Sequence, residues 1–351
     1  MRKLFCMVLA AVVLLAAGIS AEAVQYQIHD LGTLEGASST AYSINDSGQV
    51  VGYSYMSGSN ISHAFLWQNG SMTDLGTLGG TISFAKGINN SGQVVGYSYA
   101  SHHAFLWQNG SMTDLGTLGG SYSYADGIND SGQIVGQSPT SGGSTHAYLW
   151  QNGSMTDLGT LGTSSFAYDI NNNGQVVGSS YTLGGSEHGF LWQNGRMTDL
   201  GTLGGVQSSA RSINNSGQVA GYVLRSNGYF DAFIWQNGSM TDLGTLGGTN
   251  TLAYGINDNG QVVGYSVMPG GYPAHAFLWQ NGSMVDLGAL GENGSAAYAI
   301  NNNGWIAGYS YDASNNLHAV VWEPVPEPSS ILALLCGIGS LGGAIVRRRV
   351  K

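Results

Sequence analysis

Apolar residues in this chain come in short runs, interrupted about every ten residues by clusters of glycine, asparagine, aspartate and serine. Residues 85–115 show the pattern. The spacing predicts a strand over 85–89, then a turn at Asn89-Asn90-Ser91-Gly92 with glycine where a positive φ is needed. A second strand, QVVGYS, covers 93–98, and a third, HAFLW, covers 103–107. Asn109-Gly110 is a strong hairpin signal, and a fourth strand begins at Met112. Helix is excluded because no apolar stretch between the ends reaches helical length and the punctuation is too dense. The second strand is apolar on both sides of its alternation, as expected of a sheet covered on both faces.

This unit, DLGTLGG…IN(D/N)(S/N)GQVVGYS…HAFLWQNGSMT in idealised form, recurs seven times. Its tryptophans, Trp67, Trp107, Trp150, Trp192, Trp235, Trp279 and Trp322, stand 40, 43, 42, 43, 44 and 43 residues apart. Four strands of about five residues with their turns fill about 42 residues, the size of one propeller blade. The phase at the ends decides between a ring and a linear array. Residues 26–32 form a fourth strand with nothing before it, and residues 297–322 supply the first three strands of a unit with no fourth. A ring needs that permutation, because the leading strand completes the last blade and hides both edges. A linear β-array would need polar caps instead, and none is visible. The expected fold is all-β, a seven-bladed β-propeller over residues 24–323, closed by its N-terminal strand.

Both ends differ from the body. Arg2 and Lys3 precede an apolar run over 4–17, and Ala21-Glu22-Ala23 fits a small-x-small cleavage site, so residues 1–23 read as a signal peptide. The alternative is an uncleaved anchor, for which the run is short. Residues 324–351 place Pro326-Glu327-Pro328 before an apolar segment over 331–346, with Arg347, Arg348, Arg349 and Lys351 at the end. The basic cluster predicts a transmembrane segment whose end stays cytoplasmic and whose repeats lie outside. This order of motif, span and basic cluster resembles the PEP-CTERM sorting signal of exopolysaccharide-producing Gram-negative bacteria. The resemblance implies an exosortase-type sorting protease as partner, cutting near Pro326-Glu327-Pro328 and releasing the chain to the cell surface. A plain membrane anchor is the alternative. The repeats themselves are similar to the HAF family of extracellular repeats, through His63-Ala64-Phe65, His103-Ala104-Phe105 and His275-Ala276-Phe277. That resemblance implies an exported repeat protein and supplies neither a catalytic residue nor a ligand.

Charge and cysteine usage narrow the partners. Both cysteines, Cys6 and Cys336, lie in the end segments, so the body has neither disulfides nor a thiolate metal site. Residues 24–323 keep only Lys86, Arg196, Arg211 and Arg225 against eighteen acids. Such a surface repels nucleic acid and anionic membranes, leaving membrane contact to the C-terminal segment before processing.

Histidine recurs at one repeat position, as His63, His103, His146, His188, His275 and His318. Equivalent positions on different blades are too far apart to share one metal ion. Across the hairpin, Phe65 should face Asp74, making His63 a diagonal neighbour of Asp74. The expected role of pairs such as His63–Asp74 and His103–Asp114 is structural. In the fifth unit Asp231 replaces the histidine and should lie near Asp242, where two carboxylates need a cation or a shared proton. Arg211 is a candidate, although first and third strands of one blade are not neighbours. The most variable position of the first strand reads Tyr42, Lys86, Asp126, Tyr168, Arg211, Tyr254 and Tyr298. If that strand lines the channel, these side chains form a ring of aromatic and charged groups suited to a sugar or peptide, or a merely solvated lining.

Repeat lengths differ mainly between the second and third strands. There the fifth and sixth units carry Arg225, Tyr229, Phe230 and Tyr272, which make one rim a candidate binding face or a site of neutral drift. Triads, phosphate loops, zinc-protease motifs and calcium-loop spacing are absent, so no enzyme, metal or cofactor is expected. The leading expectation is an exported, surface-displayed, non-catalytic propeller that binds extracellular polysaccharide or matrix components. A structural or adhesive biofilm matrix protein without a small ligand is one alternative, and a glycan-active propeller enzyme is the other.

Overall fold

Glycine-bounded apolar runs become strands, and the strands gather into seven antiparallel four-stranded sheets. The computed structural model describes residues 25–58, 61–99 and 102–325. The first blade consists of Ser39–Ile44, Val50–Tyr55, Ser62–Gln68 and Ser71–Asp74, called strands a, b, c and d from the channel outward. Each later blade repeats that order. The seventh takes Ser295–Ile300, Ile306–Tyr311 and Leu317–Val325 as a, b and c, and Gln25–Asp30 as its outer strand d. The fold is therefore the all-β, seven-bladed propeller expected from the repeat phase. The proposed signal peptide, the sorting motif and the 331–346 segment lie outside the described residues. Among the described residues, no helix is long and apolar enough to cross a membrane.

The elements follow from local chemistry. At each c–d hairpin both central residues have positive φ, 52° at Asn109 and 79° at Gly110, which is the type I′ turn that matches strand twist. The Asp-Leu-Gly that follows strand d also has a local cause. Asp114 Oδ1 accepts the backbone N–H of Gly116 at 2.8 Å, and Gly116 has a φ of 75°. The second blade's strand a is Ser83–Ile88, starting two residues earlier than expected because Ser83 still pairs with Ser98.

Blades pack face to face. Val51, Ala64 and Leu66 of the first blade bury themselves against Ala85, Ile88, Val94 and Phe105 of the second. The interface that closes the ring has the same composition, with Ala307, Ala319 and Val321 against Ala41, Ile44, Val50 and Phe65. This is why strand b is apolar on both faces: Val50 and Val51 point to opposite sides and are both fully buried.

A polar belt adds to the packing. Asn45 Nδ2 donates to the Asn89 carbonyl oxygen of the next blade at 3.0 Å, and the contact repeats around the ring until Asn301 Nδ2 donates to the Asn45 carbonyl oxygen at 2.9 Å. These asparagines are buried, so each bond satisfies groups that would otherwise be costly to leave unpaired.

Candidate functional site

One glycine per blade makes the channel lining possible. In strand b of the third blade, a Cβ on Gly136 would lie 1.9 Å from the backbone oxygen of Tyr124 on strand a. Gly52, Gly96, Gly178, Gly221, Gly264 and Gly308 stand in the same relation to their own strand a. Only glycine allows this approach. Directly beside it, strand a bulges: the register skips between Ala125 and Gly127, leaving Asp126 unpaired. The bulged residue in all seven blades is the variable one, namely Tyr42, Lys86, Asp126, Tyr168, Arg211, Tyr254 and Tyr298. A bulge re-aims its side chain, and here all seven line one cavity of about 320 Å³.

The chamber has two unlike walls. Tyr254, Tyr298 and Tyr42 come from consecutive blades and touch in sequence, with ring centroids 5.2 and 5.3 Å apart. The remaining arc carries Lys86, Asp126, Tyr168 and Arg211. Lys86 Nζ lies 3.5 Å from the centroid of the Tyr42 ring, and the Arg211 guanidinium carbon lies 4.0 Å from that of Tyr168. Both are cation–π geometries. Burial pulls the Lys86 ammonium down to about 8, against the opposing pull of the Asp126 carboxylate. Burial likewise raises the Asp126 carboxyl, while Lys86 and Arg211 hold it down.

Below the chamber, towards the a–b turns, seven isoleucines from Ile44 to Ile300 line a second cavity of about 190 Å³, and five of them, Ile44, Ile88, Ile128, Ile256 and Ile300, also line the first. The second is ringed by Asn/Asp side chains. Asn90 Nδ2 donates to both Asp46 and Asp130, and Asn302 Nδ2 to both Asp46 and Asp258, each at 3.2 Å. These carboxylates are therefore already engaged by neighbouring amides.

At the opposite rim, Tyr272 is 90% exposed and Tyr229 43%. Phe230 packs edge-on against Tyr222, with centroids 5.5 Å apart. Arg225 does not stand free there for a ligand. Its Nε donates to Asp231, its Nη1 to the Leu203 carbonyl oxygen, and its Nη2 lies 3.6 Å from Asp242. This also corrects the expectation for Arg211. The cation that meets the Asp231–Asp242 pair is Arg225, because the b–c loop folds back beside strand c while the bulge in strand a keeps Arg211 in the channel.

Elsewhere the repeat's histidine takes the place of that arginine. His63 Nδ1 and Asp74 Oδ2 are 2.7 Å apart, and His103 Nδ1 and Asp114 Oδ2 are 2.8 Å apart. An ionised carboxylate only accepts, so Nδ1 carries the proton and donates. The geometry repeats at His146, His188, His275 and His318. Among the described residues, no group of three or more His, Cys, Asp or Glu is placed to hold a metal ion.

Sequence reasoning missed one set of residues. The tyrosine after the strand b glycine, as Tyr53, Tyr97, Tyr222, Tyr265 and Tyr309, is half-buried and joins the channel ring to the rim. Tyr53 contacts Tyr42, Tyr55 and Phe84, at centroid distances of 5.8, 5.8 and 4.9 Å. Tyr97 continues the series to Tyr99 and Tyr124. The usable signal was a large phenol inside a run otherwise made of small and apolar residues.

The chain thus belongs structurally to the seven-bladed β-propellers. No family model matches it, and no curated protein does. Solved structures with the same fold include a puromycin hydrolase, at 12% identity and a TM-score of 0.58, with 84% of this chain and 53% of that one covered. A puromycin-hydrolyzing peptidase of Mycobacterium tuberculosis aligns at 11% identity and a TM-score of 0.55, covering 84% of this chain and 55% of that one. The β-propeller domain of the Trilobed protease from Pyrococcus furiosus aligns at 12% identity and a TM-score of 0.54, covering 71% of this chain and 84% of that one. This chain spans about half the length of the first two. At such identities the likeness shows the fold alone.

Proposed function

We propose that this chain is an exported, surface-displayed propeller that binds extracellular polysaccharide or other matrix components without turning them over. One observation carries the proposal. Among the described residues the exposed large apolar side chains are Tyr55, Tyr99, Leu183, Val206, Tyr229, Tyr272 and Val325, and all but Val325 sit on the b–c or d–a rim. The other rim is built from Asn-Gly hairpins and the asparagine belt. Apolar exposure gathered on one face marks an interaction surface, and tyrosine offers a pyranose both a flat apolar ring and a hydroxyl. Export and sorting rest on the two end segments, with an exosortase-type protease as the processing partner.

The test is a glycan array probed with the purified chain. Retention of one or more polysaccharides, weakened by Tyr99→Ala, Tyr229→Ala or Tyr272→Ala, supports the proposal. A chain that binds no glycan but self-associates through this rim would be an adhesive matrix protein instead. A glycan-active enzyme is favoured by one observation only, the opposed shifts of Lys86 and Asp126 in a single chamber. It requires release of shortened glycan that Asp126→Asn abolishes.

A further inference from the structure

The channel chamber holds a concentration of charge that the body of the chain does not otherwise have. Residues 24–323 contain four basic side chains, and two of them, Lys86 and Arg211, line this one cavity. Arg225 is consumed by Asp231 and Asp242. Lys86 and Arg211 make no ion pair among the described residues, although the body carries eighteen acids; each lies over a tyrosine ring instead. Asp126 is the one carboxylate of the variable ring. A second carboxylate, Asp169, lines the same cavity, but it is already held by the Ser212 hydroxyl and the Ile170 and Ile213 N–H groups, so neither cation of the ring has an ionic partner. A partly buried cation without an ionic partner is costly unless an anion reaches it.

We infer that the chamber takes a single acidic sugar residue, a pyranose bearing one carboxylate, with the carboxylate drawn to Lys86 and Arg211 and the C–H face of the ring laid on Tyr254, Tyr298 and Tyr42. The size of the cavity bounds this ligand. The cavity, at about 320 Å³, lies at the small end of ligand pockets, enough for one sugar ring and not for a folded oligosaccharide. The walls divide the work: the tyrosine arc suits an apolar ring face, and the cationic arc suits a carboxylate, with Arg211 able to meet it through a bidentate fork. Asp126 remains as an acceptor for sugar hydroxyls. The proposal rests on the polysaccharide reading above and narrows it to one terminal or free residue in one place.

Titration calorimetry on the full chain tests it, with glucuronate and galacturonate against glucose and galactose, and with acetate and inorganic phosphate as bare anions. The expected result is binding of a uronate at least tenfold tighter than its neutral parent, with acetate and phosphate weaker still. Lys86→Met and Arg211→Met should abolish the preference, and Tyr298→Ala should weaken uronate binding. Asp126→Asn removes a carboxylate that repels the ligand's own and should tighten uronate binding, a gain that misfolding cannot mimic. Equal binding of uronate and neutral sugar, or phosphate binding as tightly as uronate, overturns the inference. Retention of neutral polysaccharide through the rim tyrosines with no uronate preference overturns it while leaving the polysaccharide reading in place. Loss of all glycan binding removes both.

Discussion

Asp30 Oδ2 lies 2.7 Å from His318 Nδ1 across 288 residues of sequence. The same contact joins His103 to Asp114 across only eleven. The distant pair reproduces the local one because Gln25–Asp30 occupies the outer position of the seventh blade, where every other blade has its own strand d. The next residue continues the match, with Leu31 N donating to the Ala319 carbonyl oxygen at 2.9 Å. Ring closure therefore uses no special chemistry; it reuses the hairpin pairing of the repeat.

Deleting residues 25–31 should expose the outer edge of Leu317–Val325 and remove Leu31 from the closing core. An unpaired edge of this kind templates pairing with another chain. Light scattering should show concentration-dependent self-association of the truncated chain. Asp30→Ala alone should cost only about 1 kcal/mol, since the pair is partly solvated, at 19% and 39% side-chain exposure. A monomeric truncated chain with unchanged melting would contradict closure by this strand.

The strand b glycines should tolerate nothing larger. Gly136→Ala places a methyl 1.9 Å from a backbone oxygen, and either the bulge at Asp126 or the a–b pairing must give way. Chemical denaturation should report a loss of at least ~3 kcal/mol, the upper part of the usual overpacking range. Gly110→Ala, in open space at a φ of 79°, should lose only about 1 kcal/mol. Equal losses at the two sites would contradict the close-approach explanation.

Blade five should resist restoration of the repeat's histidine. Asp231→His breaks the contact with Arg225 and leaves that arginine with Asp242 at 3.6 Å. The variant should be less stable than the wild type by about 1 kcal/mol, and a double-mutant cycle with Arg225→Ala should show coupling of similar size. A stabilised Asp231→His variant would mean that Arg225 contributes nothing there.

Lys86 predicts a pH dependence of stability. Its folded value is about 8, while the unfolded chain keeps the ordinary 10.5. Between these values the unfolded state binds more protons, so stability rises with pH. The buried tyrosines act oppositely: burial raises Tyr42 and Tyr97, and stability falls as pH passes their ordinary value near 10. The window for Lys86 is therefore about pH 8 to 9.5. Across it the wild type should gain on the order of 1 kcal/mol relative to Lys86→Met, as measured by denaturant midpoints. Parallel profiles for the two proteins would show that Lys86 is solvated.

Much of the fold is legible because its determinants are local. Asn109-Gly110 sets a two-residue turn, the turn sets the register, and the register puts Phe105 opposite Asp114. The repeat phase then requires a ring. The channel chemistry is only half legible. The variable column stands out as a column, but its bulge does not, because a bulge depends on how close strand b comes to strand a. The role of Arg225 was missed for a similar reason: a five-residue loop between Leu224 and Phe230 leaves its direction open until it packs. The phenols of Tyr53 and Tyr97 were not legible as channel residues because strand alternation alone does not say how near a position lies to the mouth of a pore.

The amino-acid sequence alone determined the number of blades, the strands within each and the order in which the ends meet, because these depend on turn chemistry and periodicity over a few residues. Only the tertiary structure decided which side chains converge. Lys86 and Asp126 are 40 residues apart in sequence, and Asp126 and Arg211 are 85 apart; their meeting in one chamber depends on seven sheets packing radially around a common axis.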